Sequence, residues 1–586
     1  MTRLRAQALM IRDVPYMSMK PCEAGRECEC REDCESAKRG AIRDHHGDRI
    51  VEISLRMTRL RAQALMIRDV PYMSMKPCEA GRECECREDC ESAKRGAICD
   101  HHRDRIVEIS LRMRRLRAQA LMIRDVLYMS MKPCEAGREC ECREDCESAK
   151  RGAIRDHHGD RRDRSVEVIL EEAMSEDRRV AVTGMGAITP LGNSVSETWE
   201  AMKAGKNGIA RITQFDPEGF KATLAAEVKD FDPGQYLEKQ EILRTDRFTQ
   251  FAVAAAQQAA EDSAIEGKVN PDRFSVLFGT GIGGIETFER EHRNLMERGP
   301  RRVSALFVPM MICNMAAGMI AIRHDCRGTA MPAVTACASA SNAIGEAMRL
   351  IRHGYADAVI TGGTEAAVCP SSVAGFANMK ALSTSTDPNA ASLPFDKRRN
   401  GFVIGEGAVS LVLEEYEHAR ARGARIYGEI CGYGTTCDAY HITSPEPNAR
   451  GAAKAMEDAM REAGYTEADH VYLNAHGTGT PMNDLVECKA VHAAFGDANA
   501  RKPWVSSTKS MTGHMLGAAG AVEALASLFA LEEGIVPPTI NLMEQDENCD
   551  LNYVAGQALQ ENLTLALSNS LGFGGHNVCL AFRKVK

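Results

Sequence analysis

No stretch of this chain approaches the roughly eighteen consecutive apolar residues that a membrane-spanning helix needs. Positive charge is not in excess either: the formal net charge is -9, which gives no reason to expect nucleic acid as a partner. The opening residues Met1–Val14 are rich in Arg and lack the unbroken apolar centre of a secretory signal. Cysteines with metal-like pairing are missing after Met174, where nine are scattered as expected for buried free thiols in a reducing compartment. What remains is the expectation of a soluble cytoplasmic protein. A hydrophobic content of 44% and a charged content of 26% suit a globular enzyme. A length of 586 residues favours several domains or one large duplicated one.

The N-terminus repeats itself. Met1–Arg56 recurs as Met57–Arg112, with Cys99 where the first copy has Arg43 and Arg103 where it has Gly47. The text restarts at Met113 and runs to Arg161, with Arg114 and Leu127 in place of Thr2 and Pro15. Each copy carries a cluster such as Cys22, Cys28, Cys30 and Cys34, then paired histidines such as His45 and His46. A metal-binding or redox array is one reading. The spacing opposes it, because structural zinc sites pair cysteines two to four residues apart around a turn. Each copy also has one Tyr, no Phe or Trp and dense mixed charge, too little to build a core. Residues 1–173 are therefore expected to be a disordered or non-native extension, arising from DNA duplication or a misassigned start. Met174 looks like the more natural beginning.

From Arg179 onward, short β-branched runs alternate with helical patterns. Val180–Val182, Phe274–Phe278, Ala358–Thr361, Val471–Asn474, Trp504–Ser507 and Val578–Phe582 read as strands. Phe248–Glu261 and Ala518–Glu533 read as helices, the second stopped by Gly534 and Pro537-Pro538. The alternation predicts an α/β architecture with mostly parallel sheets. Roughly 410 residues is large for one sheet, so two similar halves meeting near Arg425 are expected. The halves are 174–425 and 426–586.

Chemistry concentrates in four segments. In VTACASASNAIGEAM (334–348) a strand-like approach ends at Cys337, and apolar residues at 344, 347, 348 and 351 mark a helix face. Cys337 then stands at a helix N-terminus, where free N–H groups and the dipole favour thiolate, the form that attacks thioesters. Taken alone, such a cysteine is more often structural. NAHGTGTP (474–481) puts His476 directly after a strand, and SSTKSMTGH (506–514) does the same for His514, with Lys509 five residues earlier. A lone histidine usually marks a structural contact, but strand ends with Gly-flanked loops are where α/β folds display catalytic groups. NSLGFGGHN (569–577) offers backbone N–H groups to a charged oxygen, or is simply a tight turn.

TACASAS, NAHGTGTP, SSTKSMTGHMLGAAGAVEA and NSLGFGGHN stand in the order and spacing of elongating β-ketoacyl-[acyl-carrier-protein] synthases. PFDKRRNGFVIGEGA, CDAYHITSPEP and VPPTINL add to the likeness. From about Arg179 to Lys586 the chain resembles that family, most closely its type II form. The resemblance implies a thiolase-like fold of five αβαβα layers, two pseudo-duplicated halves and a homodimer. It implies that Cys337 is the nucleophile, His476 and His514 the catalytic histidines, and Lys509 a support for the second histidine. Phe573 matches the gate between acyl and malonyl sides, and Thr478 and Thr480 the holders of the phosphopantetheine arm. Gly281, Ile282, Phe307 and Phe376 match acyl-tunnel positions. Arg301, Arg302 and Lys380 match positions that dock an acidic acyl carrier protein. Asn474, Glu523 and Ser568 fall where some members bind a structural cation, and no cofactor is required.

Two departures stand out. Leu571 replaces the first Phe of the usual NSFGFGG, and Gly479 replaces a common Ser between the two threonines. The implied reaction is decarboxylative condensation of malonyl carrier protein with an acyl thioester on Cys337. The nearest rival is a ketosynthase of polyketide or specialised-lipid synthesis. A degradative thiolase would need a second catalytic cysteine, and Cys579 lacks its surroundings. A chain-length partner subunit would lack the nucleophile, and a metal-binding repeat protein is the remaining alternative.

Overall fold

The computed structural model describes residues 178–585. The repeats, the boundary at 173 and the expectation of disorder lie outside the described residues. Within them, the chain follows one path twice. The first pass runs β1 (Val180–Ile188), α1 (Arg247–Ser263), β2 (Phe274–Gly279), α2 (Met315–Arg323), β3 (Ala330–Ala333), α3 (Ser339–Arg352), β4 (Ala358–Glu365) and β5 (Gly407–Glu415). The second runs β6 (Gly428–Cys437), α4 (Arg450–Glu462), β7 (Val471–Asn474), α5 (Pro481–Phe495), β8 (Trp504–Ser506), α6 (Ala519–Glu533), β9 (Leu565–Gly572) and β10 (His576–Arg583).

Sheet order repeats as well. The first pass lies β3-β2-β4-β5-β1 and the second β8-β7-β9-β10-β6. In each, the three strands farthest from the junction are parallel and the other two antiparallel. A short antiparallel pairing of Ala181 and Val182 with Glu429 and Gly428 joins the two sets into one continuous ladder. α3 and α6 pack on each other and on strands of both sets, while α1 and α2 cover the outer face of the first set, and α4 packs on β6 and β10 of the second and on α5. The layers are thus αβαβα, the arrangement that the family resemblance implies.

Burial follows from this placement. α6 is apolar around its circumference, with Val522, Leu525, Leu528 and Leu531 all sequestered, as a helix between two sheets must be. α1 starts at Asp246, whose side chain accepts from the Phe248 N–H, and ends at Ala264 in the left-handed conformation. The predicted strands and both predicted helices are present; several run further than predicted, β1 to Ile188 and β4 to Glu365, while β8 and α6 are each one residue shorter. β6, β9 and the short β3 carry Gly, Ser, Asn or Pro and show little β-branched signal.

The glycines of β1 and β6 have a packing cause. A Cβ on Gly184 or Gly186 would sit 2.3 and 2.0 Å from the carbonyl oxygens of Ala259 and Ala255 on α1. Gly432 and Gly434 stand in the same relation to Ala459 and Ala455 on α4, at 2.1 and 1.8 Å. Each helix lies directly on its strand, and any side chain there would push it away.

Candidate active site

Cys337 lies in a single 3-10 turn, Ala336–Ala338, between β3 and α3. Ala336 has φ 51, a left-handed backbone that costs a non-glycine residue energy and turns the chain sharply. Ser339 secures that turn: its Oγ accepts from the Thr335 N–H at 2.9 Å and donates to the Ala336 carbonyl at 2.7 Å. The end of β9 passes against the same turn. A Cβ on Gly572 would fall 2.7 Å from the Thr335 carbonyl oxygen, so only glycine allows this approach. It brings the Phe573 N–H to the Cys337 sulfur.

His476 follows β7 by two residues. Its backbone N–H and that of Gly477 donate to the buried Glu487 of α5 at 2.7 and 2.8 Å. The Gly479 N–H donates to the buried Asp484, also on α5, at 3.2 Å. Gly479 has φ 76, which explains why a residue without Cβ suits the departure from Ser. Thr478 and Thr480 share a hydroxyl–hydroxyl hydrogen bond of 2.9 Å.

His514 follows the short helix Lys509–Thr512, its N–H donating to the Val403 carbonyl at 2.7 Å. The rings of His476 and His514 meet edge to face, with centroids 5.3 Å apart. Phe402 packs edge-on against His514 at 5.1 Å, and Phe376 against Phe402 at 5.6 Å. Lys509 is buried and ion-paired with the equally buried Glu523.

Cys337, His476 and His514 line one cavity of about 300 Å³. Thr478, Thr480, Phe376, Phe573 and Lys380 share its walls, as do Phe402, Leu516 and the departing Leu571. Gly281, Ile282 and Phe307 do not line it, nor do Arg301 and Arg302. Ile282 packs in the same apolar cluster as Cys337 and Phe376, behind the cavity wall. The Gly281 and Ile282 N–H groups donate to buried Glu365 at 2.8 and 3.2 Å. Phe307 packs on Phe288, with centroids 6.2 Å apart. Arg301 and Arg302 form an exposed turn, and Lys380 is exposed at the cavity rim.

Burial governs the protonation states. It pushes the Cys337 thiol up to about 12, against the opposing pull of the Lys509 ammonium. This corrects the expectation that the helix end favours thiolate: desolvation outweighs the favourable position, and the resting sulfur is protonated. Both imidazoles are held well below their usual range, by burial first and then by Lys509. They are neutral at pH 7. The Nδ1 atom of each is buried without a protein partner among the described residues. Glu523 is raised to about 7, again by burial first.

Both polar side-chain atoms of Asn474, the Ser568 Oγ and one Glu523 oxygen are buried without partners among the described residues. Asn474 and Ser568 are paired residues on β7 and β9. These oxygens suit a hard cation chemically, so the donor set fits the structural ion that the resemblance implies.

Sequence reading missed the carboxylates behind the site. Glu487, Asp484 and Glu365 hold loop N–H groups and touch no reacting atom, and each resembles an ordinary polar residue in the chain. The missed walls, Phe402 and Leu516, lie in segments recognisable only by their likeness to the family.

Comparison with known proteins agrees with this geometry. Residues 177–419 match the family Beta-ketoacyl synthase, N-terminal domain, and residues 427–543 match Beta-ketoacyl synthase, C-terminal domain. The chain is 52% identical over 411 residues to 3-oxoacyl-[acyl-carrier-protein] synthase 2 of Synechocystis sp., covering 70% of this chain and 99% of that one. The enzyme of the same name from Staphylococcus aureus is 50% identical over 412 residues, with the same coverage. Among solved structures, the ishigamide ketosynthase/chain length factor aligns with a TM-score of 0.66 and 36% identity, over 70% of this chain and 100% of that one. A type II PKS acyl-carrier protein in complex with its ketosynthase bound to the hexaketide aligns at 0.65 and 32%, with equal coverage. Fold, cavity and kinship converge: the chain belongs to the beta-ketoacyl synthase family.

Proposed function

We propose that residues 174–586 form a β-ketoacyl-acyl-carrier-protein synthase of fatty-acid elongation, in halves 174–425 and 426–586. One observation carries the assignment of roles: a thiol and two neutral imidazoles, from opposite halves of the chain, line a single cavity.

An acyl thioester enters on carrier protein and Cys337 attacks its carbonyl. The N–H groups of Cys337 and Phe573 stabilise the oxyanion that forms. The thiol proton leaves through an imidazole to the departing phosphopantetheine sulfur, so the step balances as a thioester exchange. Thr478 and Thr480 hold that arm. Malonyl carrier protein then binds and loses carbon dioxide, leaving negative charge on its thioester oxygen. His476 and His514 donate Nε2–H to that oxygen. Their depressed basicity keeps them neutral donors rather than cations that would have to be desolvated. The carbanion attacks the acyl-Cys337 carbonyl and releases a β-ketoacyl product two carbons longer.

Lys509 fixes the electrostatics around both rings, and a structural cation at Asn474, Ser568 and Glu523 would brace β7 against β9. Phe376 lines the acyl side, Gly281 and Ile282 back it, and Phe573 gates it, with Phe307, outside this cavity, as the remaining acyl-tunnel position. Exposed Arg301, Arg302 and Lys380 offer positive charge to an acidic carrier protein. Homodimer formation is supported by β3, a sheet edge whose neighbourhood exposes Met331 at 49% and Val334 at 50%. No helix among the described residues is long and apolar enough to cross a membrane, in keeping with a cytoplasmic enzyme.

Polyketide-type condensation is the second reading, favoured by the two structural relatives. Their identity of 36% and 32% is well below the 52% and 50% shared with the 3-oxoacyl synthases, which favours elongation. Incubation with acyl and malonyl carrier proteins tests both. A single two-carbon extension across primer lengths is the expected result, and iterative extension to a poly-β-keto chain would select the rival.

A further inference from the structure

Outside the active site, α5 carries a second constellation of reactive side chains. Cys488 and His492 lie one helical turn apart on the same face. Asp550, from the segment after α6, reaches that face. The His492 Nε2 lies 2.8 Å from one Asp550 oxygen, and the Cys488 sulfur lies 3.7 Å from the same oxygen. One ligand-capable atom from each residue falls within 4.8 Å of the others.

We propose that Cys488, His492 and Asp550 bind a divalent cation of the zinc class. One thiolate, one imidazole and one carboxylate suit that borderline-soft ion better than calcium or magnesium, which prefer oxygen alone. Tetrahedral zinc separates such donors by roughly 3.3–3.6 Å, which the 3.7 Å Cys488–Asp550 spacing already approaches and the 2.8 Å His492–Asp550 hydrogen bond reaches by opening about half an ångström. The surroundings are also arranged as metal sites require. Asp497 engages the Nδ1 of His492 at 3.0 Å, which orients the ring and presents Nε2 to the ion. Arg501 holds the other Asp550 oxygen and the Asp550 carbonyl, fixing the carboxylate. The Lys489 ammonium is turned away, donating to the Pro447 carbonyl at 3.2 Å.

Cys549 lies within hydrogen-bonding reach of Cys488 on its buried side. On the open side is a cavity of about 460 Å³ that gives solvent and ion a route in. Water from it fills the fourth position. Ion entry displaces the proton between His492 and Asp550 and the thiol proton of Cys488, both of which leave to solvent. The bound ion would tie α5 to the segment Asn548–Asp550. Cys488 directly follows Glu487, which holds the His476 loop, so the site stiffens the helix on which that loop hangs.

The test uses the full chain, stripped with a chelator and reloaded with Zn²⁺ or Co²⁺. Since the N-terminal repeats carry thirteen further thiols, the readout is the difference between wild type and His492→Asn, Cys488→Ser or Asp550→Asn. Each variant is expected to retain one equivalent less zinc after dialysis, with site affinity lowered at least about 100-fold. Cys488→Ser should also lose part of the cobalt–thiolate absorption. Zinc should raise the wild-type Tm by several degrees, and His492→Asn, whose partly exposed ring makes its metal-free fold tolerant, should not respond. Equal zinc retention and equal zinc-dependent Tm in wild type and all variants would overturn the site. So would isolation of the resting protein with Cys488 and Cys549 joined as a disulfide.

Discussion

The carboxylate of Glu487 accepts both the His476 and the Gly477 backbone N–H, at 2.7 and 2.8 Å. A buried acid on one helix therefore sets the path of the loop that carries the His476 imidazole. Glu487→Gln replaces one acceptor oxygen with an amide donor and leaves a buried N–H unpaired, at a cost of about 1–3 kcal/mol. Condensation should slow by about ten- to a hundred-fold and acylation of Cys337 by much less, since His514 can still carry the thiol proton whereas the decarboxylating step needs both imidazoles. Single-turnover acylation, read by intact mass, separates the two. Equal loss of both steps would mean a general loss of fold.

Cys337→Ala should abolish acyl-enzyme formation altogether, as no other thiol among the described residues lines the cavity. Mass spectrometry after incubation with acyl carrier protein reads the adduct directly. A wild-type yield of adduct in the variant would remove Cys337 from the mechanism.

Replacing either His476 or His514 with Ala removes one neutral donor to the thioester oxygen. One such donor is worth about 3–4 kcal/mol of barrier, so each change should lower malonyl decarboxylation by several hundred-fold. Carbon dioxide release is the measurement. A variant retaining more than a tenth of wild-type decarboxylation would show that its ring is not a donor.

The depressed imidazoles also tie stability to pH. In the unfolded chain each histidine takes up a proton near its ordinary value of about 6.5, whereas the folded chain refuses it. Below that pH the unfolded state binds more protons, so stability falls as pH drops and is restored as pH rises past it. Urea midpoints between pH 7.5 and 5 should decline in the wild type. The decline should be shallower in His476→Gln, and identical slopes would contradict the burial of a neutral ring.

Ile282 backs the cavity from the cluster that holds Cys337 and Phe376. Ile282→Phe adds bulk to a close-packed wall and should press it inward. Primer profiles should shift toward shorter acyl chains with acylation by the shortest primers unchanged. An unaltered profile would place the chain-length boundary elsewhere.

Parts of this arrangement are legible in the chain and others are not. Cys337 and His476 each follow a strand in a small-residue segment, while His514 follows a short helix rather than the strand itself, and small residues there signal a backbone approached closely by something else. α6 declares itself by apolar residues around nearly its whole circumference, with Glu523 as the buried charged exception. β6 does not, because Gly432 and Gly434 answer to the carbonyls of α4 rather than to strand propensity. The thiol's protonation state was also beyond reach, since helix position argues one way and burial the other, and only coordinates show how complete the burial is. Asp550 joins Cys488 and His492 from 58 residues beyond His492, a distance no local pattern spans.

The matched glycine pairs of β1 and β6 bear on how such a molecule could be divided. Both passes use the same strand-on-helix seat, yet the first supplies sulfur and the second supplies imidazole, and α3 and α6 meet face to face between them. A fragment ending at residue 425 would keep its nucleophile but present the inner side of α3 to water. Each half is thus the other's lid as well as its chemical complement, so neither could be removed without uncovering the apolar face of the one that stays.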